Sequence, residues 1–537
     1  MNLNQALKLK PDHLLTIKNK IEVLTQMNKK EELLKFLNEV IPYHPQNTEF
    51  YSEKAKVLSS MGMRAQSINT YKTIYMLDPD FPDVLGSIVS DKLSNCEWDG
   101  LEKDFVDIKK KINEEKDVAD PFTVSLLFDS ADLQNKSAKI WIKQYRVFEE
   151  FKRSSNLNNK KTINLGYFSA DFRNHPVGHL ISKILETHDK SKFDLYGFYF
   201  SDKKEESDQY YQRIKKAFKK FYHVSDMSDS EIISLSKKLN IDIAVDLMAH
   251  TGSFENVSRF GVFHNKCAPI QINFLGYPGT SASKSIDYII ADKIVIPEKN
   301  KKFFSEKIIY LPHSYQPSER IRTLSEKKIT KEELSLPQNE FIFCCFNTNK
   351  KILPNTLKLW SEILKEIPKS ILWLLSNNEN FKENIKFEFE KKNVNPQRII
   401  FSEKAPIHEH LNRIKHADLF LDTFPYNAHT TCSDSIWAGV PLLTIEGQSF
   451  QSRVAASLLK TSGLDELIAK NEDDYIKKAV YIAKNEDYLN SLKNKLKNSR
   501  DTNPLFDTKT FTKNIEKAFS VVLDRYIKNE EPTDIYL

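Results

Sequence analysis

The chain, 537 residues long, is predicted to form two Rossmann-like α/β lobes preceded by an all-α region of helical repeats. Three observations carry that expectation: a regular spacing of prolines near the start, and two successive series in which short β-rich runs alternate with amphipathic helical segments. With 40% hydrophobic and 28% charged residues, the chain has material for three or four domains with real cores rather than a disordered tail.

Pro11, Pro45 and Pro79 each close a helix-like segment and stand 34 residues apart, the period of tetratricopeptide repeats. The same offset pairs Val23 with Val57, Leu24 with Leu58, Met27 with Met61 and Lys30 with Arg64, so the apolar face is predicted to repeat too. Gly62 and Tyr71 supply the tight turn and packing aromatic of the second unit, while the first has Asn28 in place of glycine. Two units cannot bury a continuous core alone and are expected to dock on the neighbouring domain, as an interaction surface or as a cap. Residues 1–90 are assigned to the repeats and 91–155 to a helical linker, because Val84 to Tyr145 is helical and charged without the period, with Trp98 and Trp141 as packing anchors. After the polar stretch Ser154 to Lys161 come the runs Ile163 to Phe168, Phe193 to Phe200, Ile241 to Leu247, Ile270 to Leu275 and Tyr288 to Ile290, read as strands of a first lobe over residues 156–335. Phe341 to Phe346, Ile371 to Leu375, Arg398 to Phe401, Leu419 to Asp422 and Leu442 to Ile445 make the second lobe, residues 336–537. Ligands of open α/β sheets bind beyond the carboxyl ends of the strands, so the cleft between lobes is the expected site.

The net charge of +6, from 79 basic and 73 acidic residues, is small and scattered, which argues against a nucleic-acid partner. Five cysteines (Cys96, Cys267, Cys344, Cys345, Cys432) include no CxxC pair and fit reduced thiols in a cytoplasm, without structural metal. Met1-Asn-Leu-Asn-Gln-Ala lacks a basic-then-apolar leader and no apolar run has the length of a membrane span, so a cytoplasmic protein is expected. Asp78-Pro79-Asp80 lies in the repeats and reads as a turn, not as a metal-binding Asp-x-Asp after a strand.

Asn427-Ala428-His429-Thr430-Thr431-Cys432-Ser433-Asp434 follows the strand-like Leu419 to Leu421 and opens a helical segment closed by Gly439. Free N–H groups and small hydroxyls at such a junction can hold a phosphate, and Asp434 one turn further in can accept hydrogen bonds from a ribose. An ordinary N-cap with Thr hydroxyls on local amides is the competing reading. Gly276, Pro278 and Gly279 form a tight loop, either a plain βα turn or a close approach to sugar or acceptor. Asp246 and His250, at a strand end, either reach the cleft or cap a helix.

Several blocks carry a resemblance. Gly166-Tyr167-Phe168-Ser169-Ala170-Asp171-Phe172-Arg173-Asn174-His175-Pro176-Val177-Gly178-His179, Leu275-Gly276-Tyr277-Pro278-Gly279-Thr280-Ser281, Asp287 to Asp292, Cys345-Phe346-Asn347 with Lys351, Ala405-Pro406 through Arg413, and Ser452-Arg453-Val454-Ala455-Ala456-Ser457 resemble the O-GlcNAc transferase/SPINDLY family. The similarity runs in unbroken order from about Ile163 to Leu467, and tetratricopeptide units ahead of it fit the family's architecture. It implies a GT-B glycosyltransferase that moves a sugar from a nucleotide diphosphate to Ser or Thr of a protein acceptor, with inversion, without a metal and with no cofactor beyond the nucleotide-sugar cosubstrate.

Carried over residue by residue, the resemblance makes Lys351 the catalytic lysine on the leaving group and His175 the proposed general base, although a donor phosphate oxygen could take the proton instead. For both Lys351 and its neighbour Lys350 the plain alternative is a solvated side chain before a helix. His429, Thr430 and Thr431 would face the pyrophosphate, Ala405, His410 and Arg413 the base and phosphates, and Asp434 the ribose. His179, Gly276, Tyr277 and Pro278 are candidates for the acceptor or sugar, and His408 is an extra without a role. Ile407 replaces a lysine that contacts the nucleotide and Thr348 a glutamine near the pyrophosphate, so the donor is open: UDP-GlcNAc first, with GDP-fucose, or UDP-glucose onto asparagine, as alternatives. A catalytically silent repeat scaffold is the reading from another class.

Overall fold

The computed structural model describes residues 3–147, 161–201, 206–252, 259–320 and 329–537, and within these the two series of strands form two separate parallel sheets. The first contains β1 (Ile163–Ser169), β2 (Phe193–Tyr199), β3 (Lys220–His223), β4 (Ile243–Asp246), β5 (Ile270–Asn273), β6 (Tyr288–Ala291) and β7 (Lys307–Tyr310). The second contains β8 (Phe341–Cys345), β9 (Ser370–Leu375), β10 (Ile399–Ser402), β11 (Leu419–Leu421), β12 (Leu442–Ile445) and β13 (Ile468–Ala469). A last strand, β14 (Ile535–Tyr536), returns to pair with β7. The described strands order as β14-β7-β6-β5-β4-β1-β2-β3 and β10-β9-β8-β11-β12-β13. Both orders reverse direction beside the first strand of their lobe, between β1 and β4 and between β8 and β11, where ligand crevices open. Burial on both faces explains the near-continuous apolar runs of the central strands. The expected strands are present with ends shifted by a residue or two; β3, β7, β13 and β14 were not foreseen.

Two corrections concern domain assignment. The helix Thr508–Ile527 and β14, assigned by sequence to the second lobe, pack on the first: Glu516 takes the His188 ring and the Asp189 amide, and Thr508 donates to the Ser318 carbonyl. The segment read as a linker is no linker. Its helices Val84–Asn95, Leu101–Asn113, Pro121–Leu127 and Ala131–Trp141 share one apolar core with Leu353 and Tyr426 of the second lobe. A boundary at residue 90 would cut the helix Val84–Asn95. Most of the polar stretch Ser154 to Lys161, and the boundary at 155, lie outside the described residues.

The repeats obey their period. Helices begin at Leu14 and Thr48 and again at Lys30 and Arg64, and the turns between them place Asn28 at φ 51° and Gly62 at φ 78°. Asn is the non-glycine residue that best tolerates this left-handed region, which is why it can stand for glycine. The apolar face repeats less fully than its residue types: Val57 is buried, whereas Val23 and Met27 are exposed on the outer unit. No helix among the described residues is long and apolar enough to cross a membrane.

Candidate active site

The second lobe's crevice is built from the ends of β8 and β11. Asn347, just past β8, donates from Nδ2 to Asp422 Oδ1 at 3.1 Å and to Thr423 Oγ1 at 2.8 Å, and accepts from Thr431 Oγ1 at 2.5 Å. Asp422, just past β11, also accepts from the amides of Thr423 and Ala428 at 2.7 Å and from Thr444 Oγ1 at 2.7 Å. This network fixes the loop that leads into the helix Thr430–Ala438, closed by Gly439 as expected. The amides of Thr430 and Thr431 donate to no acceptor among the described residues, leaving a helix start that can take an anion.

Lys351 ends a short turn, Asn349–Lys351, and returns to the same place. Its Nζ donates to Asn427 O at 2.8 Å and lies 4.1 Å from the centroid of the Tyr426 ring. An ammonium has three donors, so at least one remains for a ligand oxygen, at a loop residue three positions ahead of Thr430. Burial pushes the Lys351 pKa down, and the Asp422 carboxylate opposes that shift. Burial in turn raises Asp422. Tyr426 stacks on His429, 4.7 Å between centroids, and His429 Nε2 donates to Gln451 O at 3.2 Å. Burial, then the nearby Lys351, hold the His429 ring well below the ordinary imidazole range, so it is neutral.

The remaining donor-side candidates line the same crevice or its edge. His410 and Arg413 both face Phe346 at the end of β8, and the Arg413 guanidinium contacts His410 Nδ1 at 3.3 Å and Glu403 O at 2.6 Å. Burial lowers the Arg413 pKa to about 10. Asp434 is buried one turn into the helix, Thr348 is exposed ahead of the lysine turn, and Ala405 is half-buried before the helix Ile407–Arg413. Ile407 packs against the core, and His408 is exposed beside Glu409.

On the first lobe, His175 caps the helix Pro176–Thr187, its Nδ1 3.3 Å from the Val177 amide and 3.5 Å from Asp171 Oδ2. As the cap, Nδ1 accepts from the Val177 amide and the neutral ring carries its proton on Nε2; the other tautomer, with Nδ1–H turned to Asp171, gives up the cap and frees Nε2 as the acceptor a general base needs. Burial lowers its pKa, Asp171 opposes, and Arg173 and Lys404 lower it further. Lys404, whose charge is felt at His175, belongs to the second lobe.

Other first-lobe candidates are committed elsewhere. His179 bonds Asn174 Oδ1 at 2.7 Å and packs on Tyr210, 4.3 Å between centroids. The Tyr277 hydroxyl donates to Pro121 O at 3.2 Å, tying the loop to the helical region; its ring and Pro278 are buried. Gly276 is a close approach, but to backbone: a Cβ there would meet Leu247 O at 2.1 Å. Asp246 accepts from the amides of Met248 and Ala249 at 2.9 and 3.1 Å in a turn that opens no helix, so the helix cap of the plainer alternative is not what it makes, and His250 donates to Ser281 O at 2.9 Å.

The structure adds Tyr426, Asp422 and Gln316. Gln316, in the loop after β7, donates to Ser433 Oγ at 3.0 Å, crossing from the first lobe to the helix start of the second. A polar residue at a strand end signals Asp422; nothing local signals the other two.

The sequence model of the family described as Glycosyl transferase family 41 matches residues 133–332 and 324–515. A probable UDP-N-acetylglucosamine–peptide N-acetylglucosaminyltransferase SEC of Arabidopsis thaliana is 33% identical over 379 residues, 69% of this chain and 38% of that protein. The UDP-N-acetylglucosamine–peptide N-acetylglucosaminyltransferase of Caenorhabditis elegans is 25% identical, covering 69% and 41%. The chain thus spans about two fifths of the length of the curated relatives it matches. A mutant O-GlcNAc transferase from Thermobaculum terrenum superposes with a TM-score of 0.78 over 98% of this chain and 99% of its own, at 20% identity, which makes the fold GT-B with a helical region ahead of it.

Proposed function

The chain belongs to glycosyl transferase family 41, and on that premise we propose that it transfers a sugar from a nucleotide diphosphate to protein, with inversion and without a metal, using UDP-GlcNAc as donor and Ser or Thr as acceptor. The names of its relatives support the donor and the peptide acceptor. One observation carries the reading: the Lys351 ammonium is held on the Asn427 carbonyl, in the loop that leads into a helix start whose Thr430 and Thr431 amides have no acceptor among the described residues, the kinds of donor a departing diphosphate requires. In the reaction the acceptor oxygen bonds the anomeric carbon as the bond from that carbon to the phosphate oxygen breaks. Lys351 and the helix start take the charge left on the diphosphate. The hydroxyl proton passes to His175 or to a donor phosphate oxygen. His410 and Arg413 hold the nucleotide and Asp434 its ribose. No cofactor takes part. Five unpaired, buried thiols support a reducing, cytoplasmic setting.

Incubation with a protein lysate and labelled UDP-GlcNAc, UDP-glucose or GDP-fucose tests this. Label from UDP-GlcNAc on protein, released by β-elimination, is expected. Transfer from another donor replaces UDP-GlcNAc with that donor, and label resistant to β-elimination moves the acceptor to asparagine. No transfer from any donor overturns the reading in favour of a scaffold.

A further inference from the structure

We propose that Lys350 is a positioning residue for Lys351: the helical region clamps the turn that carries both lysines and thereby aims the Lys351 ammonium into the crevice. The role of Lys351 rests on the function proposed above; the clamp itself rests on geometry alone. The two neighbours point to different parts of the molecule. Lys351 reaches Asn427 O, whereas Lys350 Nζ donates to Ser90 Oγ at 2.6 Å, on the helix Val84–Asn95. The next residue on that helix, Asp91, is 2% exposed and accepts on Oδ1 from Arg64 at 2.5 Å and from Ser59 at 2.7 Å. Its Oδ2 has no hydrogen-bond partner among the described residues. Arg64 opens the second helix of the inner repeat, so the adjacent residues Ser90 and Asp91 tie the lysine turn and the repeats to one helix.

A lysine kept only for solubility would stand in water. Lys350 is instead drawn into this junction, where burial and Arg64 lower its pKa and Asp91 opposes them. The turn is of 3₁₀ type, with about three residues per turn, so consecutive side chains project roughly 120° apart. Releasing one therefore lets the turn rotate and swings the other. The opposite flanks of the turn are held by the same helices: Leu353 and Tyr426, the ring under Lys351, lie in the helical region's core, and Phe122 packs edge-on against Tyr426 at 5.8 Å.

Lys350→Met and Ser90→Ala, made in the full chain, test the clamp by two readouts. The first is kcat and donor KM. Lys350→Met is expected to lower kcat by about tenfold or more with a much smaller change in KM, and to have no further effect in a Lys351→Ala background. The second, independent of turnover, is competitive acetylation of Lys351 across pH, read by mass spectrometry. Its midpoint is expected to rise toward the ordinary lysine range once the turn is loose, with Ser90→Ala shifting it the same way by less. An unchanged Lys351 labelling profile in folded Lys350→Met overturns the proposal, as does an equal loss of kcat in the Lys351→Ala background. If Lys350→Met does not fold, Ser90→Ala decides by the same readouts. If the wild-type chain turns over no donor, the functional reading falls while the labelling still decides the clamp.

Discussion

The two lobes share a strand order but finish their crevices differently. Beside β8 and β11, Asn347 and Asp422 engage every polar atom of their side chains with each other, with Thr423, Thr431 and Thr444, and with the Ala428 amide. Beside β4 and β5, whose last residues Asp246 and Asn273 are register partners, Asp246 Oδ2 and both polar atoms of Asn273 have no hydrogen-bond partner among the described residues, and neither does His250 Nδ1. Buried polar groups are normally paired; the second lobe leaves Asn427 Oδ1 open as well among the described residues, but a larger cluster of open atoms lies at the ends of β4 and β5, which on the proposed function is a division of labour. On the proposed function the second lobe receives the leaving charge; its Asn347–Asp422 network is preorganised by the chain itself, and fixed donors cost no reorganisation at the moment of reaction. The first lobe, which on the same proposal meets the acceptor, keeps the half-buried His175 over a less complete polar floor.

The largest expected effect removes the Lys351 cation from the finished half. Lys351→Ala should lower kcat by about a hundredfold or more, roughly 2.7 kcal/mol of transition-state stabilisation, while thermal stabilisation by UDP persists. Equal activity in that variant would dissolve the contrast between the lobes. His175→Ala should cost about a hundredfold. Because burial lowers its pKa, the base form survives below the ordinary imidazole midpoint, and the acid limb of kcat/KM should lie under pH ~6.5 and vanish in the variant. An acid limb that persists in His175→Ala assigns the proton to the donor phosphate. Asp422→Asn should cost roughly tenfold near pH 8, since one Asn oxygen can still serve the loop amides. Asp422 is the charge that holds the Lys351 pKa up, so its loss moves the alkaline limb to lower pH; an unmoved limb would separate the two groups.

Much of this was legible in the sequence. The repeat period located helix starts, the alternation of runs located the central strands, and the junction after Leu421 located a helix start and its closing Gly439, because each is short-range pattern or turn chemistry. The convergence of Lys351 on that junction came from the family resemblance. What stayed hidden depends on partners far away in sequence: Gln316 reaches the helix start across 113 residues and Lys350 reaches Ser90 across 260, and no period announces either. β13 and β14 are two residues each, too short to show alternation. Tyr277 misled for the reverse reason, as a glycine-flanked aromatic looks like a ligand wall until its hydroxyl is found on Pro121 O.

The smallest expected effect probes the unfinished half directly, through stability rather than rate. Burial raises the Asp246 pKa to about 6, above the value near 4 of an unfolded chain. The native state therefore holds this proton more tightly, and the stability of the neutral carboxyl is complete below about pH 4 and lost as pH rises through 6. Asp246→Asn keeps an oxygen for the Met248 and Ala249 amides and carries no charge at any pH. Its stability relative to the wild type, from denaturant unfolding, should be near zero below pH ~4 and rise to a gain of about 1–3 kcal/mol at pH 8. A variant that gains nothing at pH 8 would mean that the ionised carboxylate is already compensated in the native protein. In that case the floor of the first lobe is as complete as that of the second, and the division of labour between the crevices rests on Lys351 and the helix start alone.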